Sequence, residues 1–193
     1  KINTRINSWH DAFNAMVWLT FPRSKAAMNA RHLAAQAAHT TADMNPRGRT
    51  RDTLTLLDET GVIFASTRPH HAQALQHFAW SDLFIQQRDA WGRSMDAYII
   101  GHGLYEKALT PYIGMTGNAL MIEVEDAFFE QPYAAQIAEL DHKVAAYIQH
   151  PEHMQNPREL TPLPVLGVPN WHDTQDADFY ANTAYFRAGR RTA

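Results

Sequence analysis

The stretch Asn7–His32, NSWHDAFNAMVWLTFPRSKAAMNARH, constrains this chain more than any other. Read as a helix from Trp9, it carries Trp9, Ala12, Phe13, Ala15, Met16, Val17, Trp18, Leu19 and Phe21. Nearly every face is then apolar, which predicts a buried helix, and Pro22 stops it. Its first turns nevertheless hold His10, Asp11 and Asn14, with His10 and Asn14 four residues apart on one face. Buried polar groups are costly unless they are hydrogen-bonded or put to use, so this helix start is a candidate site.

With 193 residues, 45% of them hydrophobic, and five Trp, nine Phe and seven Tyr, the chain can bury one good core. We read a single domain over 1–193, with a core at about 7–150 and a C-terminal arm at about 151–193. A net charge of −3 disfavours nucleic acid as a partner, because a basic face is the usual footprint of such binding. There is no Cys, which excludes disulfides, thiolate zinc sites, iron–sulfur clusters and Cys nucleophiles. His, Asp and Glu remain as metal ligands. No apolar run reaches the length of a membrane span, and no signal segment opens the chain. It begins at Lys1 rather than Met, as expected of a longer product that has lost an N-terminal segment. A cytoplasmic location is the expectation.

The periodicity predicts an α+β fold: a small sheet that includes a β-hairpin, several helices packed on it, and an extended Pro-rich arm. A second helix fits Ser24 to about Ala42, with Ser24 as N-cap. Asn45–Arg51, NPRGRTR, reads as a basic loop. Thr53–Leu57 and Val62–Thr67 read as hairpin strands joined by Asp58-Glu-Thr-Gly61, with Gly61 left-handed. Helices are expected from Pro69 to about Phe78, within Trp80–Arg93, from His102 to about Leu109, and at Gln131–Gln149. Further strands are expected at Ala97–Ile100 and Ala119–Glu125. Beyond Pro151 the prolines at 157, 162, 164 and 169 predict little regular structure, with Leu166, Val168 and Trp171 covered.

Several fragments resemble a bacterial family known as Domain of Unknown Function 3025. They are NSWHDAFNA at 7–15, FPRSK at 21–25, RDTLTLLDETG at 51–61, GHGLYEK at 101–107, PVLGVPNW at 164–171 and FR at 186–187. The likeness spans nearly the whole chain. It implies a bacterial protein of one intact domain and carries no catalytic assignment.

The chemistry must therefore come from the residues. His102 and Glu106 lie four apart at the start of a helix that leaves an apolar strand, where the helix dipole favours a neutral imidazole. Such a His beside a carboxylate serves as a general base or as a ligand of fixed tautomer. The alternative is a backbone cap, with Glu106 paired to a Lys. His10, Asp11, His102 and Glu106 together suit zinc, manganese or non-haem iron, although no diagnostic spacing requires a metal. Asn14 would orient this set from behind. Arg47, Arg49 and Arg51 are anion-binding candidates, weighed against a plain solubilising surface. Asp58 and Glu59 read as turn residues. The best reading is a His/carboxylate site for hydrolase- or lyase-type acid–base chemistry, with or without a divalent metal. Its competitor is a non-catalytic interaction protein that uses a buried polar network and binds a protein partner through the arm.

Overall fold

The computed structural model describes residues 5–37 and 46–189. Helix α1 (Trp9–Thr20) turns at Phe21 into α2 (Pro22–Ala37), and α3 (Pro46–Thr60) runs directly into β1 (Gly61–Ser66). Then follow α4 (Pro69–Gln76), a π-turn at Asp82–Gln86, β2 (Met95–Ile99), α5 (His102–Ala108) and β3 (Thr116–Glu123). The chain closes with α6 (Tyr133–Gln149), β4 (Thr161–Pro164) and the short α7 (Ala177–Tyr180). The α+β class is as expected. His39 and Asn45 lie outside the described residues, as do Arg190 and Arg191.

The sheet order is β2-β1-β3-β4, with β1 and β3 parallel and the other pairs antiparallel. Every residue of β1 is buried, so both faces of the sheet are covered. Ile63, Ala65, Leu120 and Ile122 face a core shared with Leu54, Leu57, Leu140, Val144 and Ile148 of α3 and α6. Val62, Phe64, Met95 and Ala119 face the other way, onto Leu75, Leu83, Phe84 and the C-terminal segment.

The expected hairpin does not exist. Ile63–Ala65 pair with Tyr98–Asp96 and with Leu120–Ile122, while Thr53–Leu57 are helical. The reason is visible in what α3 buries: Thr50, Thr53, Leu54 and Leu57 have helical spacing. The predicted basic loop is, from Pro46 on, the first turns of that helix. Gly61 is not left-handed. It is glycine because a Cβ there would lie 2.1 Å from the Leu57 carbonyl oxygen.

Ser24 does not cap α2. The helix starts two residues earlier, at Pro22, and its first donors are taken by another helix: Asp141 of α6 accepts from Arg23 N (3.0 Å) and Ser24 N (2.8 Å). In return, Arg31 of α2 donates through Nη1 to the carbonyls of Ile148, His150 and His153 at the far end of α6.

The C-terminal segment is more regular than its prolines suggest. Thr161–Pro164 forms an edge strand on β3, where prolines at alternate positions remove donors from one side only. Leu166 and Val168 are buried, whereas Trp171 is only partly covered. The segment is tied down by Tyr185, whose hydroxyl donates to Met115 O (2.6 Å) and accepts from Leu166 N (3.0 Å). No helix is long and apolar enough to cross a membrane, among the described residues.

The all-apolar α1 is not buried all round. It packs on α5 and α2, burying Val17 and then Phe21, while Trp9, Met16 and Leu19 are 64%, 59% and 85% exposed.

Candidate functional site

Three element ends meet at one place: the start of α1, the end of α3 and the start of α5. Two glycines make this approach feasible. A Cβ at Gly101 would lie 2.2 Å from Gly61 N, and one at Gly103 would lie 2.8 Å from both the carbonyl and Oε2 of Glu59. The Gly-His-Gly run thus seats the α5 start directly on the backbone of α3, with His102 between the two glycines and buried.

From that seat His102 Nε2 lies 2.9 Å from His10 Nε2 and 3.6 Å from Glu59 Oε1. His10 Nδ1 lies 3.0 Å from Glu106 Oε2. His102 Nδ1 is buried with no hydrogen-bond partner, and its nearest carboxylate oxygen is Asp58 Oδ1 at 3.8 Å. Asp58 is in turn paired with Lys25, itself buried and 5.7 Å from the ring centre of Trp18. The site is open on its outer side, the His10 and Glu59 side chains being 31% and 45% exposed.

Two neutral imidazoles bring two N–H groups, and the two contacts present use both: one between the Nε2 atoms and one from His10 Nδ1 to Glu106. His102 Nδ1 is then left as a buried lone pair. A cation serving both Nε2 lone pairs would instead place a proton on each Nδ1, toward Glu106 and Asp58. The surroundings are acidic: Asp58, Glu59 and Glu106 stand beside the two rings, and the Lys25 ammonium pairs with Asp58. The carbonyl end of α3 adds to the same field.

Of the residues expected to share a site, His10, His102 and Glu106 converge. Asp11 does not. It accepts from Arg5 N, from Nε at 3.0 Å and from Nη2 at 2.9 Å, and those bonds hold its carboxyl well below the usual range. Asn14 does not contact the pair through a hydrogen bond; its Oδ1 is buried without a partner. Arg49 and Arg51 are exposed and, two residues apart on α3, point away from one another; the Arg47 side chain lies outside the described residues. Asp58 and Glu59 were hidden by the hairpin reading, which makes them turn residues. The signal that would have found them is the helical spacing of Thr50, Thr53, Leu54 and Leu57, which carries the helix up to Thr60.

A family model described as "Protein of unknown function (DUF3025)" matches residues 1–190, so the chain belongs to that family. No curated protein and no solved structure matches it.

Proposed function

We propose that this member of the DUF3025 family is a hydrolase whose reacting groups are the His10–His102 pair. The observation that carries the reading is the 2.9 Å contact between two Nε2 atoms, with a carboxylate facing Nδ1 of each ring. A pair that shares one extra proton holds one imidazole ready to take a proton and one ready to give it. In hydrolysis the neutral ring removes a proton from the attacking water and its partner protonates the leaving group. The pair ends with the proton count it began with. Glu106 fixes the His10 tautomer, while Asp58, held by Lys25, places negative charge beside His102 Nδ1. Because His10 and Glu59 open the site to the surface, it suits a bond presented on an extended or macromolecular substrate.

The test is turnover of p-nitrophenyl acetate and bis-p-nitrophenyl phosphate by the whole chain and its variants. His102→Ala and His10→Ala should each lose about 10²-fold or more, the usual worth of a positioned acid or base, while thermal stability is retained. Unchanged rates in both variants would overturn the reading.

A second reading is a non-catalytic interaction protein in which the same network pins α1 to α3 and α5. The exposed apolar side chains of Ile6, Trp9, Met16 and Leu19 favour it. The C-terminal arm does not, since Tyr185 and Phe186 are buried against the chain's own sheet. Here His102→Ala should lower the melting temperature, with no turnover to lose.

A further inference from the structure

We propose that His10 Nε2, His102 Nε2 and a carboxylate oxygen of Glu59 are the protein ligands of a divalent transition-metal ion, of the kind zinc exemplifies. The inference rests on the reading of this cluster as the reacting centre of a hydrolase, and it puts an ion in place of the shared proton, so that the two Nε2 atoms act as ligands and not as acid and base.

Donor chemistry comes first. Two imidazoles and one carboxylate suit zinc, iron, cobalt or manganese, and are a poor choice for calcium or magnesium, which prefer oxygen cages. The ligand atoms of His10, Glu59 and His102 all lie within 4.8 Å of one another. They come from three different elements, so their convergence is a product of the fold and not of one helix face.

The two rings meet edge to face through their Nε2 atoms, their centroids 4.4 Å apart and their planes at 73°. Widening the N···N distance to the roughly 3.3 Å of a tetrahedral site takes a shift of a few tenths of an ångström.

Charge and outer contacts agree. With both imidazoles neutral, one ammonium against three carboxylates leaves an excess of two negative charges, which a dication cancels. Glu106, 3.0 Å from His10 Nδ1, supplies the carboxylate–histidine–metal contact that fixes that ligand's tautomer, while Asp58, 3.8 Å from His102 Nδ1, supplies charge. The otherwise unpartnered His102 Nδ1 gains its reason to face Asp58, and the buried Lys25 its reason to hold that carboxylate. Three protein ligands on an open face leave a coordination position toward solvent, the mark of a catalytic rather than a structural site. When bound there, such an ion supplies an activated water at neutral pH.

The experiment is zinc titration by calorimetry of the chelator-stripped full chain, paired with cobalt(II) substitution read by visible absorption. One zinc per chain should bind. Affinity should fall at least about 100-fold in His10→Ala and in His102→Ala, and about tenfold or more in Glu59→Gln. Asp58→Asn should weaken binding about 10–100-fold, as second contacts to metal-bound histidines do. His77→Ala, at an exposed histidine elsewhere, should change nothing. Cobalt(II) d–d bands should appear in the wild type and vanish in His10→Ala, a partly exposed position whose variant melt confirms folding. Stoichiometric binding that survives loss of both histidines would overturn the site, as would no binding at all. Turnover that persists in stripped protein and still depends on His102 overturns the metal and keeps the hydrolase. One zinc bound at these ligands with no turnover in the loaded protein does the reverse.

Discussion

Lys25 is buried, and its ammonium has one acidic partner among the described residues, Asp58. Removing one member of such a pair leaves a charge that the fold has already drawn away from water. Lys25→Met should therefore cost about 2–4 kcal/mol, less than a fully buried pair because Asp58 is partly exposed. Adding Asp58→Asn should restore more than half of it in urea unfolding. A double variant no more stable than the single one would show that the ammonium matters through packing on Trp18 alone. A second residue-scale expectation concerns His71. Burial, and then its neighbour His70, hold its imidazole below the ordinary histidine range. Its Nδ1 lies 3.0 Å from Ser66 Oγ. The unfolded chain takes up the proton near pH 6.5 while the folded chain does not, so stability is full above that value and is lost as pH falls below it. Burial lowers His32 in the same sense. The melting temperature should drop from pH 7.5 to 5.5, with a slope of at most about 1.4 kcal/mol per pH unit from each histidine. His71→Gln should melt lower at pH 7.5 but with a flatter profile; an unchanged slope would remove His71 from the account.

Among the elements, α3 shows most clearly what a glycine does in one place and not another. A Cβ at Gly48, in its first turns, would meet nothing within 4 Å. Gly48→Ala should stabilise by about 0.5–1 kcal/mol, through helix propensity and a less flexible unfolded chain. Gly101→Ala drives a Cβ into the backbone of Thr60 and Gly61, so it should cost about 3 kcal/mol or more and disturb His102 as well. Chemical denaturation of the two variants reads the contrast, and equal effects would refute it. The same helix marks the limit of what the sequence discloses. Helices α1, α4, α5 and α6 and strands β2 and β3 were legible because apolar spacing, Pro and Gly agreed on them. For α3 they disagreed. Pro46 and Gly48 look like loop punctuation, and β-branched Thr53 and Thr55 among leucines look like a strand. Tertiary burial decided for the helix. Reading α3 as a hairpin is why Asp58 and Glu59 were missed from the polar cluster. His10, His102 and Glu106 stand out as polar groups set in apolar runs, whereas Asp58 and Glu59 acquire meaning only as the last turn of a helix aimed at α5. Helix α1 erred in the other direction, since composition cannot say how many of its faces find a partner.

On the scale of the whole molecule, the sheet couples the C-terminal segment to the site from its opposite face. A Cβ at Gly117 of β3 would lie 2.5 Å from Val62, 3.1 Å from Val165 and 3.2 Å from Leu104. Val165 follows β4, and Leu104 sits two residues after His102 on α5. The segment beyond Leu160 therefore does more than cover the apolar face formed by Phe84, Leu83 and Ala119. It also closes the far side of the helix that presents the imidazole. Truncation after Leu160 removes edge strand β4, bares β3 as a new edge and uncovers that face, so dye-binding association in place of cooperative melting is expected. Val165→Ala is the milder probe. Deleting two buried methyl groups should cost about 1–2.5 kcal/mol by transfer and cavity terms while leaving two-state unfolding intact. If coupling runs through Leu104, Val165→Ala should also weaken whatever His102 does, whether turnover or zinc affinity. A control of equal cost on the other core, Val144→Ala in α6, should spare it. Loss of stability with an unaltered site in both variants would mean that α5 is held by α3 and its glycines alone, and that the two faces of the sheet are energetically separate.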